Sequence, residues 1–238
     1  MKYLLVNIYQ GNDLSLEKAY INIVIDVIRA FTVSYYAFKS KVKDIYLVND
    51  TVEALKLKDN VKGSVLSGEI NGYKIESFDY GNSPYDIYRS DLSNKTLIQK
   101  TSNGTKATFC AMNADYTFVT GFVNYLSLVK VVKKLISNYK DNKCIINIIA
   151  SHKTGDDDLA CAQLIKEAIL SENINYKTWE ENTIYRIVNS KSARKFFDEK
   201  NKDFTILDIS LVINLTIDDF VMRAKHIGNV IKLDKYKV

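Results

Sequence analysis

Proline is almost missing from this chain: Pro84 is the single one in 238 residues, and glycine is scarce at nine. No linker, low-complexity tract or internal repeat is visible. Cysteine is limited to Cys110, Cys144 and Cys161. An odd number without zinc-ligand spacing argues against a disulfide framework or a zinc site. Buried free thiols in a reducing compartment are expected instead. No apolar run approaches the ~18 residues of a membrane span. The first nine residues carry one lysine and a short apolar run, without the longer apolar region of a signal peptide. A cytoplasmic protein with no membrane partner is therefore expected. Basic blocks with interleaved aromatics are absent, so no nucleic-acid partner is expected either. His152 and His226 share no catalytic or metal-ligand pattern, and His152 reads as a loop histidine after an apolar run. The P-loop, GxGxxG and GxSxG motifs are lacking.

What is present is the composition of a globular protein: 47% apolar, 26% charged, and a net charge of +5 with both signs mixed along the chain. The length suffices for one large α/β domain, and residues 1–238 are read as a single one. The scarce glycines are not spread evenly. Gly63, Gly68, Gly72, Gly81 and Gly104 fall in one stretch together with Pro84. Glu69, Asp79, Asn82, Ser83, Asn103 and Thr105 stand beside them. Glycine lets the backbone approach a ligand closely. Singly, each position would be an ordinary turn. Together, the acids, amides and hydroxyls point to polar loops built around a site.

Short β-branched and apolar runs at 21–27, 44–48, 61–67, 96–100, 116–120 and 144–150 read as strands. Helical patterns fall at 32–39, 51–58 and 105–112, around Leu128, Val132, Leu135 and Tyr139, and from Asp156 through Ile169. A helix over 190–200 and a last strand over 227–233 are also expected. Alternating strands and helices predict an α/β fold of three layers, α/β/α, around a large, mostly parallel or mixed sheet. Ligands of such sheets sit beyond the carboxyl ends of strands. Asp26, Glu69, Asn103, Asn124, Asp157 and Asp158 all follow or end apolar runs. The runs at 21–27, 96–100, 116–120 and 144–150 are expected to be neighbours, bringing these residues to one edge.

Asp26 and Arg29 sit three apart at a strand end. The carboxylate could hold a cation and the guanidinium a phosphate or sulfonate. The alternative is a local ion pair between the two. Both are expected outside the apolar core. Glu69, Asp79, Asp157 and Asp158 are candidates for a hard cation such as Mg²⁺, which takes a few carboxylates plus water and phosphate oxygens. The acids at 156–158 would equally serve a helix N-terminus. Ser102 and Asn103 follow a strand, and the amides after Gly104 open a helix that suits an anion.

The segments I-D-V-I-R-A at 25–30, S-G-E-I-N-G-Y-K-I at 67–75, F-D-Y-G-N-S-P at 78–84 and T-S-N-G-T at 101–105 resemble the 2-phosphosulfolactate phosphatase family, as do F-V-N at 122–124 and D-D-L-A-C-A at 157–162. The resemblance implies an Mg²⁺-dependent phosphatase of three-layer α/β fold that releases phosphate from a small phosphorylated hydroxy acid, 2-phosphosulfolactate, in coenzyme M synthesis. It implies catalytic roles for Asp26, Arg29 and Asp158. Substrate binding falls to Arg29, Asn82, Ser83, Ser102, Asn103, Gly104, Thr105 and Asn124, and metal binding to Asp26, Glu69, Asp79 and Asp158. A homodimer is a further expectation. The chain departs from the family pattern at Ile70, where arginine is typical, and at 120–121, 150–152, Asp157 and Gln163. Isoleucine cannot make the paired anion contact of an arginine. The alternative function is a relative that binds an anion or a partner without turnover.

Overall fold

The structure is a computed structural model that describes residues 3–172, 176–198, 200, 201 and 203–238. In chain order the first half runs β1 (Tyr3–Gln10), β2 (Ala19–Ile25), α1 (Ala30–Lys39), β3 (Asp44–Leu47), α2 (Thr51–Asn60), β4 (Ser64–Ile70), β5 (Tyr73–Lys74), α3 (Pro84–Tyr88), β6 (Thr96–Lys100) and α4 (Gly104–Cys110). The second half runs β7 (Ala114–Thr120), α5 (Tyr125–Asn138), β8 (Lys143–Ala150), α6 (Asp156–Leu170), α7 (Tyr176–Asn189), α8 (Ile206–Val212), β9 (Phe220–Ile227) and β10 (Val230–Lys237). Among the described residues, ten strands form one mixed sheet in the order β1-β8-β2-β7-β9-β10-β3-β6-β4-β5. No described helix is long and apolar enough to cross a membrane.

β2 shows why the architecture has three layers. Successive side chains of a strand point to opposite faces. Ile21, Ile23 and Ile25 pack with Leu128 and Val132 of α5 and with Leu164 and Ile165 of α6. Val24, on the opposite face, packs with Phe31, Val33 and Tyr35 of α1. A parallel strand covered on both faces needs this near-continuous apolar run. The exception is Asn22, in register with Asn147 of β8, which is in register with Asn7 of β1. Their amides form a chain: Asn7 Nδ2 donates to Asn147 Oδ1 (3.1 Å), Asn147 Nδ2 to Asn22 Oδ1 (3.1 Å), and Asn22 Nδ2 to the Ala111 carbonyl (2.6 Å). Buried amides are tolerable in a sheet interior because each finds a partner.

The expected neighbours are only partly neighbours. β8, β2 and β7 are adjacent and parallel, but β6 lies five positions from β2, beyond the β9–β10 hairpin. The hairpin is antiparallel to both β7 and β3, so β3, β6 and β4 run opposite to the first half along the sheet. Strand twist of about 20–25° per step accumulates to more than about 100° over that distance. The carboxyl ends of β6 and β2 nevertheless meet. A Cβ on Gly104, just after β6, would lie 2.8 Å from Asp26 Oδ2 and 2.9 Å from the Ala30 Cβ, so the two ends touch at a position only glycine can occupy.

Other expectations need correction. The single strand over 227–233 is instead the meeting of β9 and β10 across Gly228 (φ 59°), whose left-handed conformation suits the first central residue of a two-residue hairpin loop. β1 went unexpected because its sequence mixes apolar and polar residues without a clean period. The expected helix over 190–200 is a single 3₁₀ turn at Arg194–Phe196, and Glu199 lies outside the described residues. α7 was also unexpected, since only Thr183 and Ile187 of it are buried and its apolar signal is weak. Of the three cysteines, expected to be buried, Cys144 and Cys161 are buried but Cys110 is half-buried.

Candidate active site

β2 ends at Ile25, and Asp26 leaves the sheet at its carboxyl edge. Its Oδ1 accepts from the Ala30 amide (2.8 Å) and its Oδ2 from Ser151 Oγ (3.2 Å). Contrary to expectation, both Asp26 (6% exposed) and Arg29 (4%) are buried. They do not pair with each other. Arg29 Nη1 donates to Asp208 Oδ2 at 2.7 Å and Nη2 to the Gly72 carbonyl at 3.1 Å. Its guanidinium lies 4.9 Å from the Phe196 ring centre and 5.1 Å from that of Phe204. The local ion-pair reading is thus replaced by a long-range one.

Glu69 lies within β4, not in the loop, and is held by three donors: the Ser102 amide (2.5 Å), Ser102 Oγ (3.1 Å) and the Gly72 amide (2.6 Å). Asn103 Oδ1 accepts from Asn12 Nδ2 at 2.6 Å. A cavity of about 510 Å³ opens among these groups. Asp26, Arg29, Glu69, Asn82, Ser102 and Asn103 line it. His152, read as an ordinary loop residue, lines it too, together with Lys191, Ser192 and Lys195.

The other expected residues lie outside the cavity. Asp79 turns away: Lys58 Nζ and the Leu66 amide each lie 2.7 Å from its Oδ2. Ser83 caps α3 and donates to Asp208 Oδ1 (2.7 Å). The hydroxyl of Thr105 is used locally, donating to the Thr101 carbonyl (2.7 Å). Asn124, just before α5, is fully buried, its Oδ1 accepting from Thr120 Oγ1 (3.0 Å) and its Nδ2 without a partner among the described residues. α4, opened by Gly104, has only seven residues and its Thr105 amide already donates to Thr101 Oγ1 (3.2 Å).

The three acids opening α6 have three separate partners, more specific than capping requires. Asp156 pairs with Arg186, and Asp157 Oδ1 accepts from Ser192 Oγ (3.0 Å). Asp158 accepts from the Val27 amide (2.8 Å), Ser151 Oγ (3.1 Å) and the His152 amide (3.1 Å). Ser151 therefore bridges Asp26 and Asp158. Burial is the main force on Asp26, Asp157 and Asp158. It raises Asp26 to about 6, aided by the charges of Glu69 and Asp157. It raises Asp157 to about 6 as well. Burial, followed by the charges of Asp157 and Asp26, pushes Asp158 well above the usual carboxylate range.

Among the described residues, no three His, Cys, Asp or Glu side chains group as metal ligands. The donors facing the cavity are Asp26 and Glu69, joined by Asn82, whose buried Oδ1 has no hydrogen-bond partner among the described residues. Two carboxylates and an orphaned amide oxygen fit Mg²⁺, which keeps several waters and uses substrate oxygens in place of a full protein cage.

The model of a known family, described as 2-phosphosulpholactate phosphatase, matches residues 8–226. The chain belongs to that family. It is a family of phosphoric monoester hydrolases. A relative from Bacillus subtilis (strain 168), named probable 2-phosphosulfolactate phosphatase, is 46% identical over 230 residues, covering 97% of this chain and 98% of its own. Relatives with the same name from Clostridium novyi (strain NT) and Clostridium tetani (strain Massachusetts / E88) are each 32% identical. The first covers 86% of this chain and 76% of its own, the second 81% and 82%.

For this phosphatase-family member, the sequence reading missed Ser151, Asp208, Lys195 and the two phenylalanines flanking Arg29. Only Asp208 left a usable signal. It is the one acid in I-L-D-I-S-L-V, 206–212, and an acid inside an apolar helical run needs a buried partner. Ile70, where a family arginine was expected, is exposed and does not line the cavity.

Proposed function

We propose that the protein is an Mg²⁺-dependent phosphatase that hydrolyses 2-phosphosulfolactate to sulfolactate and phosphate. One observation carries this reading. A single cavity joins two buried acids and an orphaned amide oxygen to a guanidinium that is rigidly held. The substrate named for the relatives carries three acid groups, and a cavity with charges of both signs suits it.

Phosphoryl transfer depends on position and charge more than on covalent chemistry by the protein. Arg29 is locked by Asp208, the Gly72 carbonyl and two aromatic rings, so it meets charge developing on phosphoryl oxygens without reorganising. When bound, Mg²⁺ would be held by Asp26, Glu69 and Asn82 and would supply charge neutralisation at the phosphoryl oxygens. Ala30 and Ser151 fix the orientation of Asp26. Asp158 acts through Ser151 and the Val27 and His152 amides, as a positioning residue for the β2 end. Asp79 has no part in the site under this reading.

The test is phosphate release from 2-phosphosulfolactate and a panel of phosphorylated hydroxy acids, with Mg²⁺ and with EDTA. Release from 2-phosphosulfolactate that needs Mg²⁺ is expected. Tight binding of the same compounds without any release would favour the non-catalytic alternative.

A further inference from the structure

Arg29 and Lys195 are neighbouring cations on the cavity wall, and they differ in one respect. The charge of Arg29 is met by Asp208. Among the described residues, the Lys195 ammonium makes neither a hydrogen bond nor an ion pair. It is nevertheless held in place. Its Nζ lies 4.2 Å from the centre of the Phe204 ring and occupies the space a Cβ on Gly72 would need. The segment carrying it is anchored on both sides: Ser192 donates to Asp157, and the Phe196 ring packs on Arg29. Burial and the adjacent Arg29 charge lower the pKa of Lys195. Glu69 and Asp157 offset this only in part, so a half-buried ammonium beside a guanidinium, without an ion pair, is stabilised by an anion arriving in the cavity.

Position decides which anion. Arg29 and Glu69 both bond to Gly72, in the turn between β4 and β5, and Lys195 fills the space beside that same glycine, so it stands next to the phosphoryl contacts. A cavity of about 510 Å³ has room for more than a phosphoryl group. We propose that Lys195 is a specificity-determining residue that binds a second acid group of the substrate, a carboxylate or sulfonate lying beside the phosphoryl group. It thereby selects phosphate monoesters of acids over those of neutral alcohols. This inference rests on the phosphatase reading above.

The experiment compares wild type, Lys195→Met and Lys195→Arg on 2-phosphosulfolactate and on isopropyl phosphate, which keeps a branched secondary ester but lacks both other acids. The measured quantity is the ratio of the two kcat/KM values. Losing a hydrogen bond between charged groups is worth about 10- to 100-fold. The ratio is expected to fall by that order in Lys195→Met, mainly through KM for the acid substrate, and to recover in Lys195→Arg. An unchanged ratio overturns the proposal, whether both activities fall together or neither does. A calorimetric titration with sulfolactate, which has both acid groups and no phosphate, runs beside it. Weaker binding to Lys195→Met supports the proposal, and equal binding overturns it. If wild type releases phosphate from no ester, the phosphatase reading fails, while the titration still decides the role of Lys195.

Discussion

Arg29 Nη1 and Asp208 Oδ2 meet at 2.7 Å, across 179 residues of chain, and both side chains are buried. The other oxygen of Asp208 accepts from Ser83 Oγ (2.7 Å) and the Tyr85 amide (3.0 Å). One carboxylate from α8 therefore joins the turn after β2 to the start of α3. Ser83, expected to touch substrate, acts here by completing the shell around Asp208.

Removing one partner of a buried pair leaves an uncompensated charge, at a cost of about 3–5 kcal/mol. Asp208→Asn should lower stability by that amount in urea unfolding and reduce phosphate release from the folded fraction. Arg29→Lys should do the same to a smaller degree, since lysine keeps the charge but loses the two-pronged contact to Asp208 and Gly72. A loss below about 1 kcal/mol in Asp208→Asn would show that the pair behaves like an exposed one.

The metal assignment separates Asp26 from Asp79. Asp26→Asn should raise the Mg²⁺ concentration needed for half-maximal activity and lower the rate on the order of 10²–10³-fold. Asp79→Asn should leave the Mg²⁺ requirement alone and cost about 1 kcal/mol or less, as befits a part-exposed pair with Lys58. A Mg²⁺ titration of both variants decides it. The reverse pattern would move the ion to Asp79.

Gly104→Ala tests the meeting of the two strand ends. Its Cβ would lie 2.8 Å from Asp26 Oδ2 and 2.9 Å from the Ala30 Cβ. Overpacking of this kind costs about 1–3 kcal/mol, and it displaces the carboxylate at the centre of the site. Activity per folded molecule should fall more than the melting temperature suggests. Wild-type activity and melting together would mean the contact relaxes freely.

The acids also predict how metal-free protein responds to pH. Asp26 and Asp157 are raised to about 6 in the folded protein from an ordinary value of 3.8. Between about pH 4 and 6 the folded state therefore binds more protons than the unfolded state, and stability rises as pH falls through that window. In EDTA, the melting temperature should be higher at pH 5 than at pH 7.5, and Asp157→Asn should reduce the difference. Asp79 and Asp218, whose hydrogen bonds and lysine partners hold their pKa values below normal, oppose the trend only below their ordinary range. A melting temperature that falls steadily from pH 7.5 to 5 would show that the buried acids do not dominate.

Much of the scaffold was legible in the residues, because it follows from local rules. The run I-N-I-V-I could only be a strand covered on both faces. The acids and glycines of 67–105 marked polar turns at strand ends, and Asp26, Glu69, Asn82, Ser102 and Asn103 do line one cavity. The motifs also pointed to the family. Weak periodicity hid β1 and α7, and a two-residue turn hid the division of β9 from β10.

The identity of each residue's partner was decided by tertiary structure alone. Asp79 and Glu69 are both acids in glycine-bearing sequence, and nothing local says that one meets Lys58 while the other meets Ser102. Arg29 stands three residues from Asp26, yet its partner comes from residue 208. Ser151 gains its place between two carboxyls because β8 lies beside β2, and Gly104 reaches Asp26 although β6 stands five positions from β2 in the sheet. Hydrophobic periodicity is a property of neighbours along the chain and survives in the sequence. Pairing of buried charges depends on strand order and accumulated twist, which are properties of the whole sheet.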